Sequence, residues 1–297
     1  MNPASFSHPS EIIRQFDDQG YVADLELATI LFLLFKLEKP LLLEGNPGVG
    51  KTEVAQILAK MLDTELIRLQ CYEGLDVNAA VYEWNYQKQL LSIKIQEQSE
   101  LSIEQKENHI FGEDFLLQRP LLKAITSTEK APVLLIDEID RADEEFEAFL
   151  LELLSAFQIS IPELGTIQAK VKPLVILTSN RTRELSDALK RRCLYHWVSY
   201  PDMEKEKRIL RKHIPHLQEG LADQMVRLVQ LLRDMKLNKQ PGIAETIDWA
   251  KGLMALGYQQ LNAESIEASL GAVVKSQTDI EHIRQQGLDN LIQRSQA

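Results

Sequence analysis

Two stretches of this 297-residue chain carry the residue types that can do chemistry. The first is GNPGVGKT, in which Gly45, Asn46, Pro47, Gly48, Val49 and Gly50 run into Lys51 and Thr52. It fits the spacing G-x-x-x-x-G-K-[ST]. Glycines let backbone N–H groups turn inward around phosphate oxygens, and a helix that follows adds partial positive charge. Lys51 is expected to reach the β- and γ-phosphates, and the Thr52 hydroxyl to ligate Mg²⁺. The second stretch is VLLIDEIDRADEEFEAF, which runs an apolar strand into acid. Asp137, Glu138, Asp140, Asp143, Glu144, Glu145 and Glu147 crowd into eleven positions. Asp137 ends the strand and can ligate the same Mg²⁺ through water. Glu138, one residue on, is placed to orient and activate a water molecule. Asp143, Glu144 and Glu145 read instead as the stabilising acids of a helix N-terminus.

These groups need a scaffold, and the pattern supplies one. PLLLEG reads as a buried strand entering the glycine turn, and KTEVAQILAKML as the amphipathic helix leaving it. ELIRLQ, PVLLID, PLVILTSN and YHWVSY read as four more strands. FQISIPELGTIQAKV alternates around Pro162–Gly165 and reads as a hairpin. Asn180 closes VILTSN. Ligands of parallel sheets gather at the carboxyl ends of strands, so its amide can hold an attacking water or a γ-phosphate. A plain strand-ending turn is the alternative. From Met203 onward helical periods dominate. The expected fold is α/β, with a parallel five-stranded sheet in residues 1–200 followed by a small all-helical domain in 201–297. Residues 71–131 read as long, polar and irregular, most so over 96–108.

Composition bounds the function. A net charge of -11 argues against broad contact with nucleic acid, which needs a positive surface. The longest apolar run, Leu25 to Leu37, is broken by Glu26 and Lys36 and is too short to span a bilayer. The opening residues do not read as a secretory signal. Cys71 and Cys193 cannot make a disulfide framework. A cytoplasmic protein is the expectation.

GNPGVGKT, LLIDEIDRA, LTSN and ALKRRC resemble, in order and spacing, the motifs of AAA+ ATPases. DEIDRA with its hairpin, and the long insert before it, are similar to the MoxR family. LIRLQCYEGLD, YEWNYQKQLL, IPELGTI, NRTRELSDALKRRC and PGIAETIDWA resemble its CoxD-like branch. The resemblance covers nearly the whole chain. It implies an αβα core with a helical lid, and an ATP hydrolase acting on acid anhydrides with ATP and Mg²⁺. It implies a homo-oligomeric ring, usually a hexamer. A partner with a von Willebrand factor A domain and a client metalloenzyme, matured chaperone-fashion, belong to the same implication. A DNA-directed motor or loader and a nucleotide-binding scaffold of little turnover are the rival readings.

The resemblance also assigns residues. Arg192 aligns with the arginine that reaches a neighbouring subunit's γ-phosphate, with Arg191 as second choice; both arginines also suit a helix C-terminus. Tyr21 and Val22 lie where related ATPases enclose adenine, although packing of the N-terminal region suits them equally. The chain departs from its relatives at the lid. Ala244 and Glu245 stand near the place of a nucleotide-sensing arginine, with Lys239 as a possible substitute. Tyr82, Trp84 and Tyr86 alternate in VYEWNY, and the pattern leaves strand and helix open.

Overall fold

The computed structural model describes residues 6–96, 109–162 and 164–296. The polar segment over 97–108 and Glu163 at the hairpin tip lie outside the described residues. The chain divides into two compact units. One comprises residues 1–12, 25–44 and 52–196; the other comprises 13–24, 45–51 and 197–297.

A five-stranded sheet organises the α/β part of the chain. It is built from β1 (Leu41–Gly45), β2 (Leu66–Gln70), β5 (Val133–Asp137), β8 (Leu174–Ser179) and β9 (Leu194–Val198), in the order β2-β5-β8-β1-β9. The pairs β2–β5, β5–β8 and β1–β8 are parallel, as expected. Every residue of β1 and β5 is buried, which is why both read as unbroken apolar runs rather than alternating ones. Register fixes what meets at the carboxyl edge. Gln70 stands beside Asp137, and Glu44 beside Ser179. The helix Glu144–Ala156 buries Phe146, Leu150, Leu153 and Leu154 in the core with Leu134, Ile136 and Leu177. That i, i+4, i+7, i+8 stripe is the apolar face of a surface helix. Asp143 caps it, its carboxylate accepting from the Phe146 N–H at 2.8 Å.

Within 71–131, the described residues are more ordered than their sequence suggests. Helix Val77–Val81 leads into β3 (Tyr82–Trp84), which pairs antiparallel with β4 (Leu116–Gln118); helices Tyr86–Gln96 and Pro120–Thr126 follow their respective strands. Tyr82 and Trp84 are therefore strand residues in edge-on contact, and Trp84 also meets Phe111 edge-on. Tyr86 opens a helix and is exposed. The hairpin forms as expected, β6 (Gln158–Ile161) against β7 (Gly165–Gln168).

In the second unit, helices Met203–His213, Glu219–Asp234, Ile243–Ala255 and Ala263–Val273 enclose Leu210, Met225, Val229, Trp249, Leu253, Ile266 and Leu270. Helices Gln277–Gln286 and Leu288–Gln296 complete the C-terminal region. An ion pair lies inside this core. Both terminal nitrogens of Arg233 donate to Glu206 at 2.7 Å, with the side chains 5% and 0% exposed. Thr246 and Gln230 also donate to Glu206 at 2.9 Å, and Arg233 Nε donates to the Pro241 carbonyl at 2.8 Å. The guanidinium lies over the Tyr200 ring, 4.7 Å from its centre. Removing one partner strands a buried charge, whereas removing both does not. We predict that Arg233→Leu lowers unfolding free energy by about 3–5 kcal/mol, while Glu206→Leu with Arg233→Leu costs distinctly less. Urea denaturation followed by far-UV circular dichroism tests this; equal losses for the single and double variants would refute it.

Candidate functional site

Asp137 sits at the end of the buried β5 with its side chain 3% exposed, yet both oxygens are engaged. Oδ1 accepts from the Thr52 hydroxyl at 3.0 Å and from the Thr178 hydroxyl at 2.5 Å. Oδ2 accepts from Arg68 at 2.5 Å. Thr52 lies in helix Lys51–Leu62, so chain positions far apart converge on one carboxylate. The hydroxyl–carboxylate pair of Thr52 and Asp137 is an all-oxygen donor set, the type that Mg²⁺ takes, and it fits that ion.

Glu138 adopts left-handed backbone, φ 56 and ψ 49. Such a conformation is uncommon for a residue with a Cβ. Here a hydrogen bond helps fix it, the Glu138 N–H donating to Thr178 Oγ1 at 2.9 Å. The Glu138 carboxylate is partly exposed, and Arg141 lies 3.5 Å from it. Thr178 thus ties two consecutive acids to β8. Nothing in the motif spacing singled it out, although it is the first hydroxyl after the apolar run of that strand. Arg68 was also missed; it is the one cation in the alternating strand LIRLQ.

Asp140 is buried and does structural work. Its carboxylate accepts from the N–H groups of Asn180 and Thr182 at 3.1 and 2.8 Å, and from the Thr182 hydroxyl at 2.8 Å. The residue after β8, Asn180, is therefore held from the turn after β5, and its side chain is half-buried. Buried Glu147 secures the same segment farther on, pairing with Arg183 at 2.5 Å and accepting from the Ser186 N–H at 2.9 Å. Buried Glu44, on β1, accepts from the Tyr195 hydroxyl at 3.1 Å. Burial, with the nearby Asp137, Asp140 and Glu138 charges, pushes the Cys71 thiol up to about 12. Burial likewise pushes Cys193 up to about 12, so neither is a reactive thiolate at neutral pH.

The loop Gly45–Lys51 belongs to the second unit. Lys51 is buried, and its ammonium donates to the carbonyls of Gly45 and Asn46, both at 2.8 Å. Gly48 has φ +76, and its carbonyl accepts from the Ile243 N–H at 2.9 Å. A Cβ on Gly242 would stand 2.8 Å from both Cα and O of Gly48, so glycine is required there by contact alone. Glu245 accepts from the Gly242 N–H at 3.1 Å, closing the start of helix Ile243–Ala255. Glu245, one of the two residues read near the place of a lid arginine, thus caps a helix that abuts the loop. Asn46 hydrogen-bonds to Tyr200, the residue under the Arg233 guanidinium. Lys239 lines a cavity of about 470 Å³ with Asn46, Pro47, Tyr200 and Glu245.

Arg192 follows the short helix Asp187–Lys190 and is tied to its own chain. Its Nε donates to Ser155 Oγ at 2.6 Å and one terminal nitrogen to the Ala188 carbonyl at 2.7 Å. Arg191, beside it, is exposed. Tyr21 packs edge-on against Phe16, and Val22 is buried.

Residues 40–193 match the sequence profile of the AAA domain (dynein-related subfamily). An uncharacterized protein of Staphylococcus aureus (strain bovine RF122 / ET3-1) is 28% identical over 229 residues, covering 75% of this chain and 78% of the relative. An uncharacterized protein of Staphylococcus haemolyticus (strain JCSC1435) is 26% identical over 266 residues, covering 88% and 92%. Among solved structures, a mutant of Thermotoga maritima RuvB is similar at a TM-score of 0.50 and 18% identity, covering 84% of this chain and 69% of that one. That likeness is one of fold. With more than half of its 297 residues inside the family match, the chain belongs to the AAA ATPases, in the dynein-related subfamily.

Proposed function

We propose that this protein is a MoxR-type AAA+ ATPase of the CoxD-like branch, which hydrolyses Mg-ATP as a ring oligomer to remodel or mature a partner protein. The observation that carries the ATPase part is the convergence at Asp137. A helix-borne hydroxyl from the phosphate-loop motif, a strand-end carboxylate and a second acid turned aside by left-handed backbone stand together. In this reading Gly45 to Gly50 cradle the phosphates, and Lys51 exchanges its loop carbonyls for the β- and γ-phosphates. Thr52 and Asp137 would hold Mg²⁺, whose charge would neutralise the phosphate oxygens. Glu138 orients the attacking water, and Asn180 holds the water or the γ-phosphate. Tyr21 and Val22 enclose the base. Arg192 leaves Ser155 and Ala188 to reach the neighbouring subunit's γ-phosphate.

The von Willebrand factor A partner and the metalloenzyme client rest on the sequence resemblance. A DNA-directed motor is weakened by the net charge of -11, and a salt-titrated DNA-binding assay separates the two readings. Affinity capture with Glu138→Gln, in the presence of ATP, is the route to the client.

We predict that Lys51→Ala removes measurable ATP binding. Glu138→Gln keeps ATP affinity and loses turnover by about a hundredfold or more. Phosphate release and equilibrium binding measure the two; a Glu138→Gln form as fast as the parent would remove Glu138 from its role.

Specific activity is predicted to rise with protein concentration as subunits assemble. Arg192→Ala should lower it by about a thousandfold with ATP affinity largely kept, and Arg191→Ala should change it far less. The reverse ranking would transfer the role to Arg191, and full activity at high dilution would exclude a shared site.

A further inference from the structure

The cation that meets Asp137, the Arg68 guanidinium, has no part in the reaction described so far. Arg68 reaches across from β2 to the neighbouring β5 and donates to Asp137 Oδ2 at 2.5 Å. The two side chains differ sharply in environment, Arg68 being 50% exposed and Asp137 3%. The same terminal nitrogen of Arg68 also donates to Gln70 Oε1 at 2.5 Å. The guanidinium therefore has one partner it shares with the metal-binding chemistry and another on its own strand.

A buried carboxylate needs a positive partner. When no divalent ion is present, Arg68 supplies it. A divalent ion bound through the same carboxylate makes that guanidinium redundant, and two cations at one buried carboxylate repel. Arg68 can leave because its head group is half in solvent and because Gln70 already holds it. The hydroxyls of Thr52 and Thr178, in contrast, meet the other oxygen and need not move.

We propose that Arg68 is a placeholder cation, which neutralises Asp137 in the nucleotide-free protein and competes with Mg²⁺ for it, so that the metal is admitted with its nucleotide rather than alone. This rests on the reading of Asp137 as a metal-site residue. It makes Arg68 a positioning residue that sets Mg²⁺ dependence, distinct from the groups that hold phosphate.

The test uses the full chain and fluorescent mant-ADP, titrated with MgCl₂ or held in EDTA. In EDTA, the parent and Arg68→Gln should bind mant-ADP alike. The Mg²⁺ concentration that half-restores tight binding should fall about fivefold in Arg68→Gln, the scale of a half-exposed ion pair lost as a competitor. Arg68→Lys should stay near the parent. Gln70→Leu, which removes the alternative partner, should shift the midpoint the other way, and it decides the matter if Arg68→Gln does not fold. An unchanged or raised midpoint in Arg68→Gln overturns the proposal; a raised one would mean that Arg68 orients Asp137 for the metal. So does a Gln70→Leu midpoint that stays or falls. If the parent binds no mant-ADP with or without Mg²⁺, the nucleotide-site reading fails and takes this proposal with it. Mg²⁺-dependent binding by the parent, with midpoints indifferent to both substitutions, removes the proposal alone.

Discussion

The arrangement at the sheet edge depends on one carboxylate that is out of water and must not be alone. Isolated, the Asp137 charge would cost several kcal/mol in an apolar strand end. Two hydroxyls and a guanidinium meet it instead. Each comes from a different element, and each must lie in register with β5 to arrive. The order β2-β5-β8 puts Arg68 on one side of β5 and Thr178 on the other. The need to satisfy one buried charge thereby fixes the stagger of three strands and the start of one helix.

The acids that follow Asp137 divide by where their charge goes. Asp140 and Glu147 face inward and hold the segment after β8 by its N–H groups. Asp143 faces its own helix end. Glu138 is in partial exposure, with Arg141 3.5 Å away. The role in orienting water proposed for Glu138 requires that exposure. The left-handed backbone that provides it is held by Thr178, the same residue that steadies Asp137.

Much of this was legible because the phosphate-loop motif and the strand-end acid are local in sequence. Gly45–Thr52, Asp137 and the five strands follow from spacing and apolar runs. Thr178 and Arg68 were not legible, because their importance is lateral. They become neighbours of Asp137 only once strand order is known, and chain order hides it. The segment after Gln70 looked irregular for a different reason. Its strands are three residues long, too short to show a period. Its helix Tyr86–Gln96 exposes Tyr86, Leu90, Leu91, Ile93 and Ile95, so apolar residues do not mark an inner face. VYEWNY resisted assignment because it spans a strand and the start of a helix.

The stack of Arg233 on Tyr200, with Asn46 bonded to that same tyrosine, joins the core of the helical bundle to a loop residue of the phosphate-binding motif. Loosening of the bundle interior is therefore expected to reach Asn46 through that ring. Heat-sensitive variants of the helical core should accordingly present as ligand-affinity defects at permissive temperature. A screen for failed nucleotide binding would gather substitutions at Glu206, Gln230 and Thr246, none of them in the phosphate loop.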